Sequence, residues 1–119
     1  MAKQERQTSD EVLLPMTPAV FYVMLALAES EKHGYAIMQQ VEALSDGKFR
    51  MGPGTLYSTL QRLLVLGLIE EIAGEGKGDS RRRYYRLRRS GNELLREEIK
   101  RLESAVRFVR QNRLVPDAK

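Results

Sequence analysis

The residues of this chain that could carry out catalysis are few. Its 119 residues include no cysteine and a single histidine, His33. Without cysteine the chain has no disulfide, no thiolate metal site and no cysteine nucleophile. His33 stands beside Gly34, and no motif supplies it with a serine or carboxylate partner, so we interpret it as a turn or capping residue. The sequence therefore predicts no enzymatic activity, no metal site and no cofactor.

A glycine-rich segment, residues 74–78 (GEGKG), has a superficial likeness to loops that hold nucleotide phosphates. Such loops end in a lysine followed by a hydroxyl residue and lead into a helix. This segment has neither feature. We therefore interpret it as a turn and not as a phosphate-binding loop of an enzyme.

Positive charge is concentrated beside that turn. Residues 1–46 carry 3 Lys/Arg against 7 Asp/Glu, whereas residues 47–119 carry 17 against 9. Residues 77–89 contain seven cations and a single acid, Asp79. Such a cluster suggests a polyanionic partner, and a solvated basic loop is the alternative. The seven cations are Lys77, Arg81, Arg82, Arg83, Arg86, Arg88 and Arg89.

Hydrophobic spacing predicts the elements that must position these cations. Thr17 and Pro18 are typical of a helix start, and the run that follows is almost wholly apolar, which predicts a helix at the centre of the core. Apolar residues at three- and four-residue spacing predict a second helix that ends near residues 45–47. The same spacing predicts a third helix that begins at Gly52 and Pro53 and ends near residue 67.

Two stretches of strand length, residues 68–73 and 82–87, flank the glycine-rich turn and predict a two-stranded hairpin. From about Ser90 to Asn112 the pattern becomes helical again, with Ser90 as the candidate N-cap. Along this last helix five large apolar residues recur at spacings of four, three, four and three, which is typical of a helix that pairs with another helix. These predicted dimerisation residues are Leu95, Ile99, Leu102, Val106 and Val109.

The order of three helices, a hairpin and a helix predicts the fold class. We expect a mainly α protein with a small β-hairpin: a winged helix-turn-helix, with three helices and a two-stranded wing, plus a C-terminal dimerisation helix. We divide the chain into a mostly flexible N-terminal arm (residues 1–16), the winged-helix domain (17–88), the dimerisation helix (89–113) and a tail (114–119). No stretch approaches the roughly 20 apolar residues that span a bilayer, so we expect no membrane association and a cytoplasmic location.

In such a fold the third helix enters the major groove of double-stranded DNA. If Leu56, Leu60 and Leu63 face inward, the opposite face is small, polar and nearly uncharged, which suits a groove. An ordinary solvated face is the alternative. The residues of this helix that we predict to contact DNA are Gly54, Thr55, Tyr57, Ser58, Gln61 and Arg62.

The wing is predicted to contact the DNA backbone. Lys77, Arg81 and Arg83 are the cations best placed to reach phosphate from the glycine-rich tip, and we include Arg82 with them. Alternation along the second strand predicts that Tyr85 points into the core, whereas Tyr84 faces polar surroundings.

Four strings of this sequence resemble the PadR-like winged-helix regulators, specifically their short members with a single C-terminal helix. They are residues 33–37 (HGYAI), 52–57 (GPGTLY), 63–69 and 83–87 (RYYRL), and the similarity covers roughly residues 14–110. The resemblance implies a homodimer, usually a repressor, that binds a roughly palindromic operator. In some members a small molecule releases the DNA. By position, Thr55, Tyr57, Ser58 and Gln61 match the family's recognition-helix contacts, and residues 81–83 match its basic wing.

Two features depart from the family pattern. The family usually has threonine directly after the last leucine of the strand, where this chain has Arg88, so the last helix is expected to begin later, with Ser90 as its cap. The chain also lacks tryptophan, so the aromatic sandwich that some relatives form around flat drugs at the dimer centre cannot be built from indole rings. Phe108 and the tyrosines could substitute only in part.

The last helix could instead fold back on its own domain, but its five large apolar residues follow a small core that is already closed, which favours a dimer. A two-fold dimer presents two recognition helices about 34 Å apart to successive major grooves. A winged helix that binds a protein in place of DNA is the second functional hypothesis. The basic wing and the small residues on the recognition face argue against it.

Overall fold

A computed structural model of the chain describes residues 14–73 and 82–116. These residues form a mainly helical fold with a small antiparallel sheet, which confirms the predicted fold class. Residues 1–13 of the predicted arm, the predicted hairpin turn and residues 117–119 of the predicted tail lie outside the described residues. The elements in chain order are α1 (Pro18–Glu29), β1 (Lys32–His33), α2 (Gly34–Leu44), α3 (Pro53–Val65), β2 (Ile69–Ala73), β3 (Arg83–Leu87) and α4 (Arg89–Gln111).

Helix α1 lies at the centre of the core, as its apolar sequence predicts. Thr17 caps it, since the Oγ1 atom accepts a hydrogen bond from the Val20 amide at 3.2 Å. Val23, Met24 and Ala26 are fully buried. Helices α2, α3 and α4 and strand β3 all pack against α1. A fully buried side chain of the size of Val or Met contributes about 1.5–3 kcal/mol, so this helix provides much of the driving force for folding.

The sheet has three strands, one more than predicted. Strand β3 lies in the middle and pairs antiparallel with β2 on one side and β1 on the other. The added strand β1 is two residues long, with Lys32 opposite Tyr85 and His33 opposite Tyr84. Two residues are too few to show the alternation by which a strand is predicted. The pairing attaches the start of α2 to the second strand of the wing.

Strand β1 also explains a wrong prediction about the tyrosines of β3. Both Tyr84 and Tyr85 are buried, at 7% and 4% exposure, although Tyr84 was expected to face polar surroundings. The ring of His33 meets the ring of Tyr84 edge-on, with 5.3 Å between the centroids. Tyr85 belongs to the core cluster, as predicted.

Helix α3 ends in a turn that depends on glycine. Gly67 has a φ of 75°, a left-handed conformation that glycine adopts without steric cost. The Gly67 amide donates to the Leu64 carbonyl, and the Leu68 amide donates to the Leu63 carbonyl, each at 3.0 Å. This is the hydrogen-bond pattern of a Schellman cap. The turn therefore satisfies the last carbonyls of α3 and directs the chain into β2.

The same turn holds the start of α4, which begins earlier than predicted. Arg88 occupies the N-cap position without a side-chain cap, so the prediction that Ser90 caps the helix is wrong. The Ser90 hydroxyl donates instead to the Gly67 carbonyl at 2.7 Å, and the Arg88 amide donates to the Leu68 carbonyl at 2.9 Å. Arginine has no side-chain acceptor with which to cap a helix, so these contacts with the preceding turn anchor the first turn of α4.

The first half of α4 packs on its own domain. Leu95 is 2% exposed and belongs to the core cluster of its own chain, which corrects its assignment to a seam between two chains. Ile99 is partly buried against the same core. Farther along the helix, Leu102 and Val109 are half-buried and Val106 is 49% exposed. The folded-back alternative is therefore correct for the beginning of α4, and an unpartnered apolar face remains only beyond Ile99.

The end of the predicted N-terminal arm also belongs to the domain. Met16 is buried in the core, and Leu14 packs against it. The Met16 amide donates a hydrogen bond to the Oε2 atom of Glu98 on α4 at 3.2 Å. Residues 14–16, which the sequence analysis assigned to the arm, therefore pack against the domain.

Replacing Gly91 with alanine is expected to destabilise the fold. A Cβ atom there would collide with the backbone carbonyl of Leu68 and lie 3.1 Å from the Cδ2 atom of Leu87. Because that carbonyl belongs to a hydrogen-bonded turn, we expect an overpacking cost of about 1–3 kcal/mol, measured by urea unfolding. Gly54→Ala is the matched control, since a Cβ on that helical glycine meets nothing within 4 Å. Equal unfolding midpoints for the two variants would contradict the packing of α4 on this turn.

Candidate nucleic-acid interface

Helix α3 presents a small polar face to solvent. Leu56, Leu60 and Leu63 are at most 1% exposed, so the apolar stripe of the helix faces the core, and the predicted orientation is confirmed. The opposite face is the one that the sequence analysis assigned to DNA, and whether it contacts DNA stays a prediction. Its exposed residues are Gly54, Thr55, Tyr57, Ser58, Gln61 and Arg62.

The N-terminus of α3 is open to a partner. Gly52 is the N-cap and provides no side-chain hydrogen bond, and Pro53 follows it in the first position. The first amides of a helix have no acceptor within the helix, and the helix dipole adds partial positive charge at this end. An anionic group such as a phosphate can accept from those amides.

The position of Tyr57 is determined by a close approach between α2 and α3. A Cβ atom on Gly34 would collide with the Tyr57 hydroxyl and lie 3.3 Å from the Cδ2 atom of Leu56. Glycine at the start of α2 therefore lets the ring of Tyr57 lie against the backbone there. The Tyr57 residue is 50% exposed, so part of it remains accessible to a partner although its hydroxyl lies against α2.

Arginine side chains at the start of β3 lie near this helix pair. Arg82 and Arg83 are exposed, and the Nε atom of Arg83 is 3.3 Å from the Oε2 atom of Glu71 on β2. An exposed ion pair of this kind contributes little stability, so a phosphate can compete for the guanidinium. The other two predicted wing contacts, Lys77 and Arg81, lie outside the described residues.

His33 caps α2, as its position in the sequence predicted. Its Nδ1 atom accepts from the Ala36 amide at 3.3 Å, and its Nε2 atom is 2.8 Å from the Nη1 atom of Arg82. A neutral imidazole has one unprotonated nitrogen and can accept only one of these bonds at a time, whereas the protonated ring can accept neither. Burial, and secondly the positive charge of Arg82, lower the pKa of His33 and so favour the neutral ring.

A cleft of about 400 Å³ lies between the start of α2, the start of α3 and the start of β3. Tyr35, which is 60% exposed, and His33 were assigned no binding role from the sequence. Their place in the string 33–37, which resembles the family, was a signal that could have found them. Tyrosine hydroxyls and guanidinium groups are donors that suit a phosphodiester oxygen. The cleft is lined by His33, Gly34, Tyr35, Tyr57, Arg82, Arg83 and Tyr85.

The part of the chain that the structure describes contains neither a candidate metal site nor a candidate membrane-spanning helix. Its histidine and acidic residues form no group of three or more that could hold a metal ion. Among the helices of residues 14–73 and 82–116, none combines the length and the apolar composition needed to cross a bilayer.

A helix-turn-helix with a polar recognition face beside a basic β-hairpin defines a winged-helix DNA-binding protein. Comparison with known proteins identifies the family: residues 23–97 match the "Transcriptional regulator PadR-like family". This match covers more than half of the chain, which therefore belongs to the PadR-like family.

Relatives agree with this assignment. The chain is 36% identical over 90 residues to a transcriptional regulator of Mycobacterium tuberculosis, covering 74% of this chain and 78% of that protein. The solved structure of a transcriptional regulator from Clostridium thermocellum is similar with a TM-score of 0.65 and 25% identity, covering 78% of this chain and 87% of the other. A PadR family regulator from Clostridium difficile has the same fold, with a TM-score of 0.67, 22% identity and coverage of 80% and 97%.

The protein is therefore a DNA-binding transcriptional regulator and not an enzyme. This conclusion agrees with the prediction from its few chemically reactive residues.

The neutral state of His33 is expected to make stability depend on pH. The unfolded histidine has a pKa of about 6.5, and folding lowers it. Protonation therefore favours the unfolded chain, so stability falls as the pH drops below about 7 toward the lowered pKa of the folded state. The free energy of unfolding in urea should fall more between pH 7.5 and pH 5.5 for the wild type than for His33→Asn. The asparagine keeps a side-chain cap but does not titrate.

His33→Ala provides the second control for this measurement. It should cost about 1 kcal/mol at pH 7.5, the usual contribution of an N-cap. An identical loss of stability between the two pH values in the wild type and in His33→Asn would show that His33 is not the group that titrates.

Proposed function

We propose that the protein is a homodimeric repressor that binds a palindromic operator through α3 and the wing. The observation that carries this proposal is the small polar face of α3, which lies beside a cleft lined by two arginines and three tyrosines. A repressor of this kind acts by occupying promoter DNA, and repression is the usual mode of the family that the sequence resembles.

Base recognition is assigned to the middle of α3 and backbone contacts to its surroundings. Gln61 can form two hydrogen bonds with adenine, and Thr55 and Ser58 are short enough to let the helix approach the base edges. Tyr57 and the arginines of the wing are assigned to phosphates, whose contacts set the register of the protein on the duplex without selecting a sequence.

Dimerisation is assigned to α4 beyond Ile99. Phe21 of α1 joins the apolar residues of this part of α4 in a groove of about 500 Å³. The side chain of Val106 is 49% exposed in a single chain, and pairing with a second copy would remove this apolar surface from water. The groove is lined by Phe21, Ile99, Leu102, Glu103, Val106, Arg107 and Arg110.

A small-molecule effector, where one acts on this protein, is assigned to the same groove. The groove is lined by aliphatic side chains, one aromatic ring and three charged residues, Glu103, Arg107 and Arg110, which suits an apolar molecule with a polar group. Such a ligand would change the packing of the two copies and thereby the distance between their recognition helices. Compounds that lower operator affinity in a mobility-shift titration identify it.

Selection from a random duplex library tests the proposal as a whole. The bound sequences are expected to share an inverted repeat, and light scattering of the complex should give two chains for each duplex. A single half-site bound by one chain would contradict the homodimer, and the absence of any enriched sequence would contradict operator recognition.

The double variant Arg82→Ala/Arg83→Ala is expected to weaken binding to operator and random DNA alike. Protein cations that neutralise phosphates release counterions, so the slope of log affinity against log salt should become shallower by about 0.9 for each phosphate that the variant no longer neutralises. Arg96→Ala/Lys100→Ala removes the same charge from exposed positions on α4 and is the control, expected to retain the wild-type slope. Equal slopes for both double variants would remove these arginines from the interface.

Leu102→Asp is expected to produce monomers with little operator affinity. The substitution places a carboxylate in the apolar groove, where pairing of two copies would leave it without a partner. Ser104→Asp adds the same charge at an exposed position on the opposite side of α4 and should remain dimeric. Sedimentation of both variants provides the measurement, and a dimeric Leu102→Asp would place the interface elsewhere.

A further inference from the structure

Glu98 of α4 is a carboxylate buried where an apolar residue would be expected. Its side chain is 2% exposed, yet it lies in the middle of an amphipathic helix next to the core. An isolated buried charge is costly, and replacement of a buried ion pair by apolar side chains often leaves stability unchanged or raises it. Packing alone therefore does not account for a glutamate at this position.

The carboxylate of Glu98 accepts hydrogen bonds from Arg101 and from the Met16 amide. The Nε atom of Arg101 donates to Oε1 at 2.9 Å, and the Nη2 atom of the same residue donates to Oε2 at 2.8 Å. The Met16 amide donates to Oε2 at 3.2 Å. The hydrogen bonds of Arg101, opposed by burial and assisted by the Met16 amide, lower the pKa of Glu98, so the group is charged at neutral pH.

The contact with Met16 joins two parts of the chain that are 82 residues apart in sequence. The Met16 side chain is buried in the core, so its backbone amide belongs to a residue that is packed against the domain. A backbone amide offers one direction for a hydrogen bond, whereas an apolar contact tolerates sliding and rotation. Glu98 therefore fixes the side of α4 that faces α1 and its distance from the segment before α1.

Glu98 is the last buried residue of α4. Gly91 packs on the carbonyl of Leu68 at the start of the helix, and Glu98 follows it by about 10 Å along the axis. The helix then continues from Glu98 to Gln111 for about 20 Å. If α4 pivots at Gly91, a shift of about 1 Å at Glu98 becomes a shift of about 3 Å at Gln111. This displacement is close to the rise of about 3.4 Å per base pair of DNA.

We propose that Glu98 is a positioning residue that fixes the angle between α4 and the winged-helix domain and thereby selects the spacing of the operator half-sites. The proposal rests on the proposed homodimer, because α4 would connect the two recognition helices. The Glu98 contacts hold that connection in one geometry, so an operator with one base pair more or less between its half-sites binds poorly. No base contact is required for this selection.

A distance measurement in the dimer tests the geometry without DNA. The chain has no cysteine, so Lys48→Cys at an exposed position between α2 and α3 gives each copy one attachment point for a spin label. The labelled protein and its Glu97→Ala variant should show one narrow inter-label distance. Glu97 is the matched control, because it neighbours Glu98 but is exposed and forms a surface ion pair with Lys100, at 3.8 Å. Adding Glu98→Ala should broaden the distribution and shift it by several ångströms, on the scale of the lever described above.

A second measurement uses the inverted repeat selected from random duplexes, with its half-sites moved by one or two base pairs. Wild type and Glu97→Ala should prefer one spacing by at least about tenfold, which corresponds to about 1.4 kcal/mol. Glu98→Ala should lose this preference and bind two neighbouring spacings within about threefold, a difference of less than 1 kcal/mol. Glu98→Gln keeps the shape and an acceptor for the Met16 amide, so its preference should fall between these two.

The outcomes are distinguishable. An unchanged label distance and an unchanged spacing preference in Glu98→Ala would overturn the proposal while leaving the dimeric repressor intact. An unfolded Glu98→Gln would also overturn it, because Glu98 would then act on the stability of the domain and not on the direction of α4. If the unsubstituted protein gives neither an inter-label distance nor an inverted repeat, the homodimer fails, and this proposal fails with it.

Discussion

The burial of α1 is the constraint on which the rest of the structure depends. Its apolar residues leave no polar face, so the helix is stable only when other elements surround it, and three helices and the central strand do so. These neighbours come from widely separated parts of the sequence. Their common packing surface determines the relative positions of α3, with its exposed polar face, and α4.

A single turn then connects the recognition face to α4. Gly67 and Leu68 cap the end of α3, and the carbonyls of the same two residues accept hydrogen bonds from the first turn of α4. Gly91 allows the helix to approach this turn closely, and farther along the axis Leu95 packs in the core and Glu98 accepts a hydrogen bond from the Met16 amide. The end of α3 and the start of α4 are therefore joined directly by hydrogen bonds to one turn.

The exposed ion pairs of the sheet differ from the ion pair of Glu98 on α4. Cations of β3 pair with acids of β2, as Arg86 does with Glu70 at 2.8 Å and Arg83 with Glu71 at 3.3 Å. These pairs are exposed and are screened by salt, so each contributes little free energy. They reduce repulsion between like charges along the sheet, and a competing anion can displace the carboxylate from the arginine easily. The buried pair of Glu98 with Arg101 differs, because one partner is withheld from water and its geometry is constrained by a third group.

Local sequence was sufficient to predict the helices and the orientation of α3. The starts of α1 and α3, each with proline in the first turn, and the inward stripe of Leu56, Leu60 and Leu63 rest on spacing and capping, which act within a few residues. The residues of the candidate site on α3 followed from the same spacing, so they could be named before the fold was known.

Tertiary contacts decided the rest. Strand β1 exists because β3 offers an edge, and with it His33 comes to lie against Tyr84. The early start of α4 depends on carbonyls of the turn after α3, and the burial of Leu95 depends on the core that the preceding elements form. By itself the sequence determined which segments are helical and which faces are apolar, because these properties are local. Only the tertiary structure decided which apolar faces the domain covers for itself and where Glu98 finds its partners, because those contacts join residues far apart in the chain.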